Sequence, residues 1–244
     1  ADGKVYNLEN KKEQVAEGKK VLDVEEAAEM VEPRVIDVPQ GKTWQFMLAD
    51  SSRVYVNANS RLVFPENFDG QQERRIHLEY GEAYFEVTKD AEKPFIVSVG
   101  ETETTVYGTE FNINGYQPDS PKTTLIQGSV GMKVVGDVKE IRLKPGQQGQ
   151  LDEAGTLVAK EVDWETLVAW KENIFFFRNA ALEEIASRLA DWYGVEFRFS
   201  RESLKREGFY CRLPRTLPLE NVLKALERGR AVRFIYENNI VTVY

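Results

Sequence analysis

Between Trp44 and Met132 the chain is a succession of short apolar–polar alternations punctuated by glycine: WQFMLADSSRVYVNANSRLVFPENF, LEYGEAYFEV, KPFIVSV, VYGTEFNINGY and TLIQGSVGM. Period-two alternation puts successive side chains on opposite faces of an extended backbone, so each run reads as a strand with one core face. Trp44, Phe46 and Leu48 share one face, Val54 and Val56 another, and Asp50-Ser51-Ser52 between them makes the turn of a β-hairpin. Ile76, Leu78 and Tyr80 alternate with Arg75, His77 and Glu79; beyond Gly81, Ala83, Phe85 and Val87 alternate with Glu82, Tyr84 and Glu86. The apolar set is expected in the core and the other set in water. Gly108, Gly115, Gly128 and Gly146 stand at bends where a positive φ or close backbone approach is expected. Such regular short strands specify an all-β sandwich, barrel or β-coil and leave the three open.

After Gly155 the pattern changes. Val162 to Lys171 suits a short helix carrying Trp164 and Trp170, and Ile174 to Phe177 an apolar strand. Asn179 is placed to cap a helix whose Leu182, Ile185, Ala186, Leu189, Trp192 and Tyr193 share one face, and Gly194 to end it. A strand follows at Val195 to Phe199. The order then repeats: a strand over 209–213, a cap at Thr216, helix positions Leu219, Val222, Leu223 and Leu226, Gly229, and a strand over 232–236. A last strand, Ile240 to Val243, follows the Glu237-Asn238-Asn239 turn. The expected organisation is a polar leader over 1–34 with a short helix at Val21 to Met30, a mainly β domain over 35–160, and a small α+β domain of βαβ-βαβ type over 161–244.

Composition narrows the chemistry. At 244 residues and 42% apolar content the chain can bury a sizeable core. The single cysteine, Cys211, forms no intrachain disulfide, and with the single histidine, His77, it leaves a Cys/His metal site without ligands. No catalytic, cofactor or metal residue is expected. No apolar run approaches the roughly 18 residues of a membrane span, and residues 1–30 lack a signal-peptide core. The start at Ala1-Asp2-Gly3 suits an excised ectodomain. Residues 1–170 carry 19 Lys and Arg against 30 Asp and Glu, and residues 171–244 carry 13 against 10. An acidic body does not suit a phosphate backbone, and nucleic acid is not an expected partner.

Each chemically suggestive residue has a plain structural reading. Glu82 and Glu86 share one strand face, as a pair of glycosidase carboxylates would, which makes a secreted glycan-binding or glycan-cleaving β protein the alternative reading. On one strand, however, they stand roughly 13 Å apart, beyond either hydrolytic spacing. His77, between Arg75 and Glu79 with no serine near it in sequence spacing, reads as a surface histidine, and Cys211 as a half-buried structural thiol. The Phe175 to Phe177 run invites comparison with an RNA-stacking platform, but no RNP-like run accompanies it.

Several of these segments match a family. The run Leu48 to Phe68, YGEAYFEV at 80–87, KPFIV at 93–97, YGTEFNI at 107–113, IQGSV at 126–130 and LKPGQQ at 143–148 resemble the periplasmic domain of FecR-type anti-sigma regulators. WKENIFFF at 170–177, LEEIASRLADWYGVEF at 182–197 and LENVLKAL at 219–226 look like the C-terminal module of such regulators in Bacteroidetes-type bacteria. Where the family has Leu-Pro-Asp-Gly-Ser at the first hairpin, this chain has Leu48-Ala49-Asp50-Ser51-Ser52.

The resemblance implies a membrane-anchored parent whose cytoplasmic segment binds an extracytoplasmic-function sigma factor. It implies a periplasmic location for this chain and a signal received from the periplasmic signalling domain of a TonB-dependent outer-membrane transducer, controlling uptake of an iron chelate or glycan. The residues expected to meet that partner are Trp192 and Tyr193, which close the apolar face of their helix, and Ile240, Val241, Thr242 and Val243, read as an exposed last strand open to edge pairing.

Overall fold

The computed structural model describes residues 33–152, 154–228 and 232–244. The expected Val21–Met30 helix and Gly229 lie outside them. Thirteen strands build the N-terminal body: β1 (Pro33–Val38), β2 (Trp44–Met47), β3 (Arg53–Val56), β4 (Ser60–Pro65), β5 (Arg74–Glu86), β6 (Phe95–Val99), β7 (Thr102–Val106), β8 (Glu110–Gly115), β9 (Lys122–Gln127), β10 (Val130–Val134), β11 (Glu140–Leu143), β12 (Gln147–Leu151) and β13 (Leu157–Glu161).

They form two sheets that share β5. Its first half belongs to the sheet β1-β4-β5-β6-β7-β10-β11, its second half to the sheet β2-β3-β5-β8-β9-β12-β13. The switch falls at Gly81 (φ +98°), where a Cβ would stand 2.1 Å from Ser60 Oγ and 2.4 Å from Ser60 Cα. Only glycine lets the strand bend across its neighbour there. The two inner faces meet in one core that includes Leu62, Ile76 and Leu78 from one sheet and Val54, Phe85, Phe111, Ile113 and Leu125 from the other. Phe85 stacks on Phe111 at 5.0 Å, and buried Thr104 and Thr123 share a 2.9 Å hydrogen bond. The result is a nearly barrel-shaped sandwich.

The first hairpin forms as expected, Trp44 opposite Val56 and Phe46 opposite Val54. Ser51 takes φ +67° at the position of the family's glycine. Asp50 supports that turn by accepting from Ser52 N (3.0 Å) and Ser52 Oγ (2.7 Å), and it pairs at 2.7 Å with Arg74, a fully buried guanidinium. Arg74 also donates to the Thr88 and Lys93 carbonyls and lies over the Phe95 ring.

Two expectations fail on β5: Tyr80, read with the core-facing set, is 42% exposed, and the opposite face is covered. Beyond Gly81 the outward set is not wet: Glu82 and Tyr84 are both buried. Helix α1 (Trp164–Val168) and the 3-10 turn Ala169–Glu172 lie over that face, with Val168 and Trp170 packed against Tyr84. Alternation reports two faces; whether the second meets water depends on what the later chain lays across it.

The C-terminal part has β14 (Ile174–Ala181), α2 (Leu182–Tyr193), β15 (Glu196–Phe199), the 3-10 turn Glu202–Arg206, β16 (Gly208–Pro214), α3 (Leu219–Glu227), β17 (Phe234–Glu237) and β18 (Ile240–Val243). Leu182, Ile185, Ala186, Leu189 and Trp192 of α2 and Leu219, Val222, Leu223 and Leu226 of α3 are buried, as their periodicity predicts. Gly194 ends α2 at φ +72°, its N–H bonded to the Ala190 carbonyl. The two expected side-chain caps do not form. Ladder pairing with β16 runs on to Ala181, so Asn179 sits in a bulge at φ +52°, and Ala181 and Pro218 precede the helices instead of Asn179 and Thr216. Strand pairing also crosses between the two βαβ units: β14 pairs antiparallel with β16, while β15 runs parallel to β18 and β17 antiparallel to it.

Candidate functional site

The outer face of the sandwich gathers a polar group where it meets the C-terminal lobe. Register sets Glu82 of β5 opposite Asn114 and Tyr84 opposite Asn112 of β8, so all four share that face. Asn57, at the end of β3, bonds its backbone N–H to the Glu82 carbonyl. The Glu82 carboxylate then accepts from Asn57 Nδ2 (2.7 Å), Asn112 Nδ2 (2.9 Å) and Asn114 Nδ2 (3.4 Å). Three amide donors stand in for water around a buried acid.

From the lobe comes Arg215, which directly follows β16. Its backbone N–H bonds the Asn173 carbonyl, and its carbonyl accepts from Trp192 Nε1 at 3.2 Å. The guanidinium lies 3.7 Å over the Trp192 ring and 5.2 Å from Phe175, and its Nη1 donates to Asn57 Oδ1 at 3.0 Å. Two further bonds join the parts: Gln40 Nε2 (3.0 Å) and Asn59 Nδ2 (3.3 Å) both donate to the Asp191 carbonyl, one of the unpaired last-turn carbonyls of α2. The junction encloses a cavity of about 150 Å³ lined by Glu82, Tyr116, Trp170, Arg188, Trp192 and Arg215, among others.

Burial governs the electrostatics. It pushes the Glu82 carboxyl above the ordinary range, against the lowering pull of Asn112, Asn57 and Arg188. It pulls the Arg215 guanidinium down to about 10, although Glu82, Tyr116 and Tyr193 favour its charge. Each end of the joint is displaced toward its neutral form. Among the described residues, buried Trp170 Nε1 and Arg215 Nε find no hydrogen-bond partner. The arrangement holds no nucleophile aligned with a base; it positions one part of the molecule on another and can recognise a cation.

The expected partner residues fall elsewhere than an open surface. Trp192 is 8% exposed, its ring beneath Arg215. Tyr193 is half-buried, its hydroxyl bonded to the Leu217 carbonyl at 2.7 Å and its ionisation pushed up to about 12 by burial. Ile240–Val243 is the middle strand of its sheet, so both its edges are used; the outer strands are β15 and β17. A strand that ends the chain tends to be read as an edge, yet here it slips between two earlier strands.

The other singled-out residues have ordinary surroundings. Glu86 bridges Arg53 (3.2 Å) and Lys171 (3.5 Å). His77 is exposed, and parallel pairing of β5 with β6 sets Ser98 Oγ 2.9 Å from its Nδ1, a neighbour that sequence spacing hides. Cys211 is half-buried, its thiol pushed up to about 11 by burial. Phe175, Phe176 and Phe177 are all buried. Among the described residues no three His, Cys, Asp or Glu converge as a metal site. The joint is not legible in the sequence: Asn57, Asn112, Asn114 and Arg215 are ordinary surface types, and only Glu82 stands out there, for a different reason.

Comparison with known proteins agrees with this architecture. A family model described as FecR protein matches residues 34–131, and one described as FecR, C-terminal, matches residues 174–243. The fold is similar to two crystal structures of a candidate anti-sigma factor from Parabacteroides distasonis ATCC 8503, each at 25% identity and a TM-score of 0.70. The alignments cover 86% and 87% of this chain and 98% of each of the others. Comparison with curated proteins gives no match. With both family regions in order on one chain and the whole fold shared with such a protein, the chain belongs to the FecR family of anti-sigma regulators.

Proposed function

We propose that this chain is the periplasmic portion of a membrane-anchored anti-sigma regulator, which receives a signal from the periplasmic signalling domain of a TonB-dependent outer-membrane transducer. The regulator passes that signal to an extracytoplasmic-function sigma factor controlling uptake of an iron chelate or glycan. The anchor and the cytoplasmic segment belong to the parent protein in this reading; among the described residues no helix is long and apolar enough to cross a membrane. The observation that carries it is the pairing of the two family regions on one chain. The C-terminal lobe is the receiving element. Trp192, Tyr193 and Ile240–Val243 serve it as scaffold, and the partner strand joins the β15 or β17 edge, which no other strand among the described residues pairs on the outer side, although Glu227 accepts from the Phe234 N–H (2.8 Å).

Calorimetric titration of the 244-residue chain with the signalling domain of the transducer encoded beside it tests this reading. Saturable one-to-one binding is expected, weakened about tenfold, or about 1.4 kcal/mol, by Ile235→Asp, since Ile235 is exposed on β17. Absence of binding would overturn the relay.

A further inference from the structure

We propose that the outer face of the sandwich carries a guanidinium-binding site, built by Asn57 and Glu82 and occupied in this structure by Arg215, and that this occupancy fixes the orientation of the C-terminal lobe. The inference stands apart from the relay, because it rests on the junction alone.

The receptor is assembled by the sandwich without help from the lobe. Glu82 is held by Asn57, Asn112 and Asn114, all sandwich residues. Asn57 is oriented by its neighbours: Nδ2 is committed to Glu82, and Oδ1, which already accepts from the Ala58 N–H at 2.9 Å, points its remaining capacity at the guanidinium. A carboxylate one amide away supplies the charge, so the site suits a planar cation that can donate a hydrogen bond along its edge and present its face to an aromatic ring. Arg215 meets each requirement, with Trp192 3.7 Å beneath it.

The other links between sandwich and lobe are weaker or less directional. Gln40 and Asn59 bond one carbonyl, that of Asp191, and Ala58 contributes a small apolar contact to the lobe core. The α1 and 3-10 segment is tied to the sandwich by its own apolar cluster around Tyr84, Val168 and Trp170. That segment also meets the lobe, through Arg178 with Asp163 (3.2 Å) and Glu165 (2.6 Å) and through Arg188 Nη1 donating to the Thr166 carbonyl (3.2 Å); these contacts tether the lobe on one side, and the Arg215 joint fixes its angle on the other. The groups that face the joint are Glu82, Tyr116, Tyr193, Arg188 and Asp191, besides the three asparagines. Taking these charges out of water offsets much of what the contact returns, so it selects an orientation more than it adds stability.

The test is chemical rescue in the whole chain. Spin labels are placed at Asp137→Cys and Lys224→Cys, both exposed, in a Cys211→Ser background, and the distance distribution between them is measured. Arg215→Ala is expected to broaden it, and methylguanidinium to restore the narrow peak while ethylammonium at equal concentration does not. Asn57→Leu is expected to broaden it with no rescue by either cation. A narrow peak in Arg215→Ala, or equal rescue by ethylammonium, overturns the proposal. If Arg215→Ala does not fold, Arg215→Lys keeps the charge without the planar fork; a narrow peak in that variant overturns it as well.

Discussion

Glu82 shows how far one side chain can depart from what its neighbours in sequence suggest. It sits in an alternation that would leave it in water, yet it is buried, and burial raises its pKa above the unfolded value. A carboxyl raised on folding binds more protons in the native state than in the unfolded one. Its linked stability is complete below the unfolded pKa and is lost as pH rises through the folded one. Urea midpoints of the parent and Glu82→Gln, taken from about pH 4 to about pH 8, should therefore differ in slope. The parent is expected to lose stability with rising pH relative to the variant; a parent that gains would show a carboxyl lowered on folding instead of raised. Arg74 and Asp50 form a second buried polar group, inside the sandwich: four hydrogen-bonded or stacked contacts surround the guanidinium, and the acid beside it also holds the hairpin turn.

At the scale of elements, periodicity carried most of the information. The buried faces of α2 and α3 and the first hairpin follow from local spacing, since each concerns residues within a turn or a strand of one another. The helix N-caps and the sheet edges did not follow, because they depend on how the chain pairs beyond the element itself. The last strand is the clearest instance. β18 is central, and Val241 and Val243 are fully buried in the lobe core. Deleting residues 240–244 is accordingly expected to unfold the lobe, seen as loss of amide-exchange protection over 174–228 with protection of the sandwich retained. A lobe that stays protected would show that β18 is dispensable.

At the scale of the molecule, the sandwich is completed by chain that follows it. Tyr84 is 1% exposed because Trp170 and Val168 cover it, and its ionisation is raised by burial and by the Glu110 carboxylate that accepts its hydrogen bond. Trp170 acts there through its volume, since its Nε1 has no partner among the described residues. Trp170→Phe is expected to change stability by less than about 1.5 kcal/mol, whereas Trp170→Ala should cost about 3–5 kcal/mol, read from urea unfolding. Equal losses would mean that the indole N–H matters after all. The sequence by itself determined the strand and helix order, their inward faces and the family, because alternation and turn residues act within a few positions. Only the tertiary structure decided that the outer face of β5 is covered, that β14 pairs with β16, that β18 lies between β15 and β17, and that Arg215 reaches Asn57. Those outcomes join residues far apart in the chain, and burial there depends on which surface the folded neighbour brings, a quantity no local pattern encodes.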